Sequence, residues 1–138
     1  MREFIFRGQT RRKGQKVWMD GTLVDSNWVE GYGVCVGKGD FSVIYAGSPV
    51  EKFTVYTDTV GQFTGLTDKN GKKIFEGDIV ASEWERGVVS YGEFNCSCCD
   101  GVFGWSFGNA DIRDYDRYEV IGNIYDNPEL LGGTDNGL

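Results

Sequence analysis

Three cysteines within four residues are the side chains best suited to chemistry in this sequence: Cys96, Cys98 and Cys99. Cys96 and Cys99 have the C-x₂-C spacing that provides half of a four-ligand structural zinc site. A second pair is absent, because the other cysteine is Cys35 and the chain contains no histidine. A nearby carboxylate or a second chain could complete a site, but the missing pair favours ordinary loop residues. We therefore predict no metal and no cofactor, with Cys96, Cys98 and Cys99 as the candidate ligands if a metal binds.

A second chemical pattern surrounds Ser106, where Gly104-Trp105-Ser106-Phe107-Gly108 matches the G-x-S-x-G form of a nucleophile elbow. That motif requires a strand-to-helix turn in an α/β sheet and a histidine base. The sequence contains no histidine and predicts an aromatic strand with glycines at its bends. We predict that the protein is not an enzyme. Catalysis by carboxylates stays open, but no pattern points to it.

Two further segments resemble ligand loops in composition alone. The nine residues Gly31–Gly39 are rich in glycine but lack the G-x-x-x-x-G-K-[ST] order and the strand–helix context of a phosphate loop, so we interpret them as a hairpin. An acidic cluster lacks the glycine that a calcium loop requires, and we interpret it as solvated charge. Its members are Asp111, Asp114, Asp116 and Glu119.

Positive charge is concentrated near the N-terminus. Residues 1–16 carry a net charge of +5, whereas the chain as a whole carries −7, so the remainder carries −12. The acidic remainder disfavours non-specific binding to nucleic acid. A local basic loop on an acidic body instead fits one anionic group or one acidic patch of a partner, although a solvated hairpin tip is the alternative. We predict that this loop makes the functional contact through Arg7, Arg11, Arg12, Lys13 and Lys16.

Short β-prone runs separated by turns indicate an all-β fold. Arg2–Phe6 alternates as a strand does, and Arg7–Gly14 is polar and predicted as a loop. We predict a β meander over 1–58, packed on a small SH3-like barrel over 59–131, and a tail over 132–138. Asn127 and Pro128 predict a short terminal helical turn. The tryptophans are expected mostly in the core, and an exposed one would mark an interface: Trp18, Trp28, Trp84 and Trp105.

The centre of the chain carries the clearest turn signal. In Thr59–Ser82, Asn70-Gly71 lies between apolar residues, and Asn-Gly is the pair preferred by two-residue type I′ hairpins. A second turn at Glu76-Gly77-Asp78 follows at once, which leaves no room for a helix. We predict a hairpin with Asn70-Gly71 at its tip.

The same stretch, TVGQFTGLTDKNGKKIFEGDIV, resembles the signature of the YopX family of small proteins encoded mostly by bacteriophages and prophages. The opening MREFIFRG resembles the first strand of that family, and YEVIGNIYDNPELL resembles its last strand and terminal turn. The resemblance implies a β-rich fold and a phage context. It implies no biochemical activity, because none is settled for the family.

The sequence also predicts the cellular compartment of the protein. No apolar run approaches the roughly 20 residues of a membrane-spanning helix, and the N-terminus lacks the apolar core of a signal peptide. We expect a protein that acts in the cytoplasm of the bacterial host, without a membrane partner and with its cysteines reduced.

Three functions stay open at this stage. The first is a non-catalytic binding module that contacts a host or phage protein. The second is a small-ligand binder, for instance a homo-oligomer that captures a nucleotide signal in anti-defence, which rests on analogy. The third is a DNA- or RNA-binding accessory protein. A pocket in an oligomer would favour the second, and a steep salt dependence of oligonucleotide binding would favour the third.

Overall fold

The fold is built almost entirely from strands. The computed structural model describes residues 4–16, 21–83, 85–96, 99–107 and 117–131, which form eleven strands. Within these residues no helix exceeds a single 3₁₀ turn, as at Thr57–Thr59 and Pro128–Leu130, so the all-β prediction is confirmed. The strands are β1 Phe6–Arg11, β2 Asn27–Gly31, β3 Gly33–Cys35, β4 Phe41–Ala46, β5 Glu51–Tyr56, β6 Gly61–Thr67, β7 Lys73–Phe75, β8 Asp78–Ala81, β9 Arg86–Cys96, β10 Cys99–Phe107 and β11 Glu119–Asn123.

The chain forms two compact units, Met1–Phe63 and Thr64–Leu138. The predicted division into 1–58, 59–131 and a tail stays a prediction, and residues 132–138 lie outside the described part of the chain. No helix among the described residues is long and apolar enough to cross a membrane.

In the first unit, β1 lies between two antiparallel neighbours. It pairs with β2 along its length and with the start of β6 through Phe6 and Arg7. A separate meander of β3, β4 and β5 pairs in chain order. Gly8 of β1 approaches this meander so closely that a Cβ atom there would lie 2.8 Å from Val55. Strands β3, β4 and β5 therefore form a β meander, whereas a meander over the whole of 1–58 stays a prediction.

The predicted polar loop over Arg7–Gly14 is wrong for its first five residues, which belong to β1. The predicted strand over Arg2–Phe6 is described only from Phe4, and β1 begins at Phe6. Residues 7–11 form a strand because they pair with β2, and with β6 at Arg7. Polar residues can be buried in a strand when their hydrogen bonds are satisfied. Gln9 is 1% exposed, and its backbone N–H donates to Thr59 Oγ1 at 2.9 Å.

The meander alternates as the sequence predicts. Ser42, Ile44 and Val55 are buried on its inner face. Neighbouring residues in the strands point to the other face, since the side-chain period of a strand is two. Phe41 therefore lies beside Tyr56 on this outer face, and the two form a cross-strand pair.

The second unit contains a four-stranded sheet in the order β10-β9-β8-β11. Its core consists of Ile74, Val80, Val89 and Tyr118, with Leu66, Trp105 and Val120 packed against it. Closure of these strands into an SH3-like barrel stays a prediction.

The predicted hairpin tip at Asn70-Gly71 is confirmed, but its loop has three residues. Asp68 N–H donates to Lys72 O at 2.8 Å, and Gly71 N–H donates to Asp68 O at 3.0 Å. Gly71 has φ +84°, the left-handed conformation that ends a type I turn with a bulge. The Asp68 carboxylate accepts N–H bonds across the loop, which favours this geometry over the two-residue turn.

The predicted terminal turn is also present. Pro128 opens the 3₁₀ turn Pro128–Leu130, where its missing N–H costs nothing. The Asn127 side chain does not cap this turn and instead accepts the Asn123 N–H at 3.3 Å.

Candidate binding surface

A tight turn follows β1 and contains the centre of the basic segment. Gln15 N–H donates to Arg12 O at 3.1 Å, and Gly14 has the positive φ of 77° that the third position of a type II turn requires. The Gln15 side chain also accepts the Arg12 N–H at 3.0 Å. Gly14 and Val24 join by a backbone hydrogen bond of 2.9 Å, which ties the turn to the returning chain.

Arg12 fixes this turn to β5 and the residues that follow it. Its guanidinium lies 4.2 Å from the centre of the Tyr56 ring. Its Nη2 donates to Asp58 Oδ1 at 2.8 Å, with the two side chains 46% and 59% exposed. Gln15 Nε2 donates to the Tyr56 hydroxyl at 2.8 Å. Two side chains of the turn therefore hold the same tyrosine.

Not all five predicted contact residues lie together in the turn. Arg7 lies within β1, half-buried, and its guanidinium is 4.6 Å from the Trp28 ring centre. Its place in a contact loop was predicted from the polar run, and the strand separates it from that loop. The remaining four residues are exposed and are here called the basic turn: Arg11, Arg12, Lys13 and Lys16.

An exposed aromatic residue lies beside Tyr56, the ring that Arg12 contacts. Phe41 is 55% exposed, and its ring centre lies 5.2 Å from that of Tyr56. Sequence reasoning placed Phe41 and Tyr56 in strands but did not assign them to a site. Nothing local in the sequence indicates that Tyr56 and Asp58 meet Arg12, more than 40 residues away in the chain.

The comparisons with known proteins identify the family. The family model described as "YopX protein" matches residues 12–132, which is most of the chain. This chain belongs to the YopX family. The predicted family is therefore confirmed, although the opening MREFIFRG precedes the matched residues.

One solved structure similar to this YopX protein is that of protein EF1440 from Enterococcus faecalis. The two chains are 24% identical, the comparison covers 96% of this chain and 100% of that one, and the TM-score is 0.45. No curated protein matches the chain.

The signature hairpin of this YopX protein contains a buried carboxylate. Asp68 is 6% exposed and accepts three backbone N–H bonds of 2.9 Å, from Asn70, Lys72 and Val120. Burial acts to raise the pKa of Asp68, but the three N–H donors and the charge of Lys72 outweigh it and hold that pKa below its usual value. Because Asp68 joins the hairpin tip to β11, its role is structural.

Among the described residues, the other candidates for a nucleophile or a metal ligand do not form a site. Ser106 lies inside β10, and its hydroxyl is 3.2 Å from that of Ser90. Cys98 and the side chains of Cys96 and Cys99 lie outside the described residues, which contain no group of three metal-ligating side chains. Cys35 is a free, exposed thiol.

The other predicted segments have ordinary structural positions. Gly31–Gly39 contains β3 and a turn, and the Gly37 N–H donates to Ser42 Oγ at 3.0 Å, so the hairpin interpretation is confirmed. Of the acidic cluster, Glu119 lies in β11 and accepts from Asn70 Nδ2 at 3.1 Å. Trp105 packs against the core. The remaining predicted positions lie outside the described residues: Trp18, Trp84, Asp111, Asp114 and Asp116.

Proposed function

We propose that this YopX protein is a phage- or prophage-encoded, non-catalytic binding module that acts in the cytoplasm of the bacterial host. It captures an anionic partner through the basic turn. The observation that carries the proposal is that this turn combines four exposed cations with a fixed conformation: Gln15 binds its backbone, and Tyr56 and Asp58 hold the Arg12 side chain.

Preorganisation supports this proposal. Ordering a loop and its side chains during binding costs conformational entropy and so weakens the affinity. The turn is closed by its own hydrogen bonds, and the Arg12 side chain is held by stacking and by an ion pair. Less ordering therefore remains to be done when a partner arrives.

The charge distribution supports it as well. The chain carries −7 overall, while four cations lie within Arg11–Lys16. Like-charge repulsion over the acidic surface and attraction at the basic turn orient an anionic partner toward one place. Membership in the YopX family supports the phage context of this proposal, and the absence of a signal-peptide pattern in the sequence supports the cytoplasm as its compartment.

The test uses the partner that accompanies the protein in cells. The tagged full chain is purified from phage-infected bacteria, and native mass spectrometry records its oligomeric state and every bound molecule. The variant Arg11→Ala/Lys13→Ala/Lys16→Ala keeps Arg12 and its contacts, so we expect a native fold and loss of the partner.

The matched control Lys38→Ala/Lys69→Ala/Arg117→Ala removes the same three charges from exposed positions elsewhere. We expect it to keep the partner. Full occupancy in the basic-turn variant, or equal loss in both variants, would show that the basic turn is not the contact.

A further inference from the structure

We propose that the anionic partner of the basic turn carries a planar base joined to a phosphate, as in a free nucleotide or a single-stranded nucleic acid. This inference rests on the proposed function and identifies its ligand chemistry. It adds Phe41 to the contact as the residue on which the base stacks.

The first step of the argument is the exposure of Phe41. Its side chain is 55% exposed on the outer face of the β3–β5 meander, so it contributes little to the core. Its ring is not isolated, because Tyr56 lies beside it at 5.2 Å with an interplanar angle of 36°. The neighbouring strand residue thus supports an aromatic surface that is open to solvent.

The second step is the position of a cation beside that surface. The Arg12 guanidinium lies 4.2 Å from the same Tyr56 ring that adjoins Phe41. Its ion pair with Asp58 involves one terminal nitrogen, and the side chain stays 46% exposed. A guanidinium presents several donors in one plane, which suits phosphate oxygens. Arg11, Lys13 and Lys16 are exposed in the same basic turn and add positive charge to it.

The third step distinguishes this ligand from an acidic peptide. A peptide of Asp and Glu residues would use the cations and leave the Phe41 ring without a function. A nucleotide uses both, because every base has a face that stacks on an aromatic ring while its phosphate binds cations. An exposed ring and an exposed cation that both contact Tyr56 therefore favour a base with its phosphate.

The acidic balance of the chain does not oppose this contact. Charges separated by more than a Debye length, about 8 Å at physiological salt, are largely screened. A short ligand at the basic turn responds mainly to the nearby cations. A long duplex would also lie along acidic surface and be repelled.

The experiment is a set of NMR titrations of the full-length protein. The probes are adenosine monophosphate, adenosine, inorganic phosphate and a short oligothymidylate. We expect adenosine monophosphate to bind more tightly than either adenosine or phosphate, because it uses the ring and the cations together. If oligothymidylate binds more tightly than adenosine monophosphate, the ligand is a single-stranded nucleic acid. If adenosine monophosphate binds more tightly, the ligand is a free nucleotide.

Two variants with equal loss of aromatic surface make the test specific. Phe41→Ala should weaken binding of whichever probe binds best by about tenfold, the effect of losing one stacked base. Phe4→Ala removes a ring that is 53% exposed in the same unit and should change nothing. Arg11→Ala/Lys13→Ala/Lys16→Ala should weaken binding further and reduce its salt dependence, while Arg12 still contributes one charge.

Failure of this inference is distinguishable from failure of the proposed function. If neither adenosine monophosphate nor oligothymidylate binds, or if Phe41→Ala binds as the wild type does, the base-stacking proposal is wrong. The basic turn still stands as a binding surface if its triple variant loses a partner, such as an acidic protein, that Phe41→Ala retains. If the triple variant retains both the partner and the nucleotide, both proposals are wrong.

Discussion

Single side chains determine whether the basic turn keeps its conformation. Arg12 is charged like its neighbours, and its guanidinium contacts Tyr56 and Asp58 within the same unit. Arg11, Lys13 and Lys16 are exposed around it. Arg12 therefore anchors the basic turn through its side chain.

Replacing Arg12 should thus affect stability as well as binding. Arg12→Ala removes a partly exposed cation–π contact and an ion pair, and we expect it to lower the free energy of unfolding by about 1 kcal/mol. Arg11→Ala is the matched control and should leave the free energy of unfolding nearly unchanged. Urea denaturation of both variants provides the measurement. An Arg12→Ala variant as stable as Arg11→Ala would show that the anchor contributes nothing.

A second single residue links stability to pH. We expect Asp68→Asn to destabilise the protein at neutral pH by about 2 kcal/mol, because a buried carboxylate loses part of its N–H network. The lowered pKa of Asp68 stabilises the fold above the unfolded pKa of about 3.9, and this contribution disappears as the pH falls through the folded pKa. The difference between wild type and variant should therefore narrow below about pH 4.

Denaturation curves measured between neutral and acidic pH test this expectation. Asp25→Asn changes an exposed carboxyl and serves as the control, with little change at any pH. A gap between wild type and Asp68→Asn that stays constant or widens on acidification would contradict the role of the Asp68 charge.

Among the elements, the β6–β7 hairpin is defined by the conformation of its loop. Gly71 has φ +84°, and a Cβ atom there would meet no atom within 4 Å. Any cost of a larger residue therefore comes from the backbone conformation and not from a clash. The Asp68 carboxylate accepts backbone N–H bonds from Asn70 and Lys72. These bonds and the positive φ of Gly71 favour the same loop conformation.

The hairpin can be tested with one substitution and an internal reference. Gly71→Val should destabilise the protein by about 1 kcal/mol or more, because a β-branched residue resists positive φ. Gly39 also has open space around it but lacks a positive φ, so Gly39→Val should have a smaller effect. Thermal melts of the two variants compare them directly, and equal melting temperatures would argue against the left-handed conformation at Gly71.

Across the whole molecule, the distribution of charge limits what can bind. A duplex contacts a broad surface and requires many cations to neutralise its phosphates. This chain has 14 Lys and Arg residues against 21 Asp and Glu residues, and no histidine. Residues 1–16 carry a net charge of +5 and the remainder of the chain carries −12, so net positive charge is confined to one short segment.

We therefore expect no measurable binding to a duplex of about 30 base pairs at physiological salt. Fluorescence anisotropy of a labelled duplex, with the protein in excess, measures this directly. A labelled single strand of the same length is the comparison, since unpaired bases can stack on Phe41 and duplex bases cannot. Duplex binding as tight as single-strand binding would contradict both the charge argument and the stacking argument.

The sequence by itself determined the properties that depend on neighbours in the chain. Short β-prone runs separated by turns predict the all-β class, Asn70-Gly71 predicts a hairpin tip, and Pro128 predicts the terminal turn. These patterns report backbone preferences that act over a few residues. The signature stretch also identified the YopX family, which the match over residues 12–132 shows.

Only the tertiary structure decided which distant residues meet. The polar residues Arg7–Arg11 predict a loop, but pairing with β2 along their length, and with β6 at Arg7, makes them part of a strand. Arg12 has the same charge as Arg11 in the sequence, yet contacts with Tyr56 and Asp58 make it an anchor. Phe41 joins the binding surface because cross-strand register places it beside Tyr56. Strand pairing and register are non-local, and a linear pattern of residue types does not contain them.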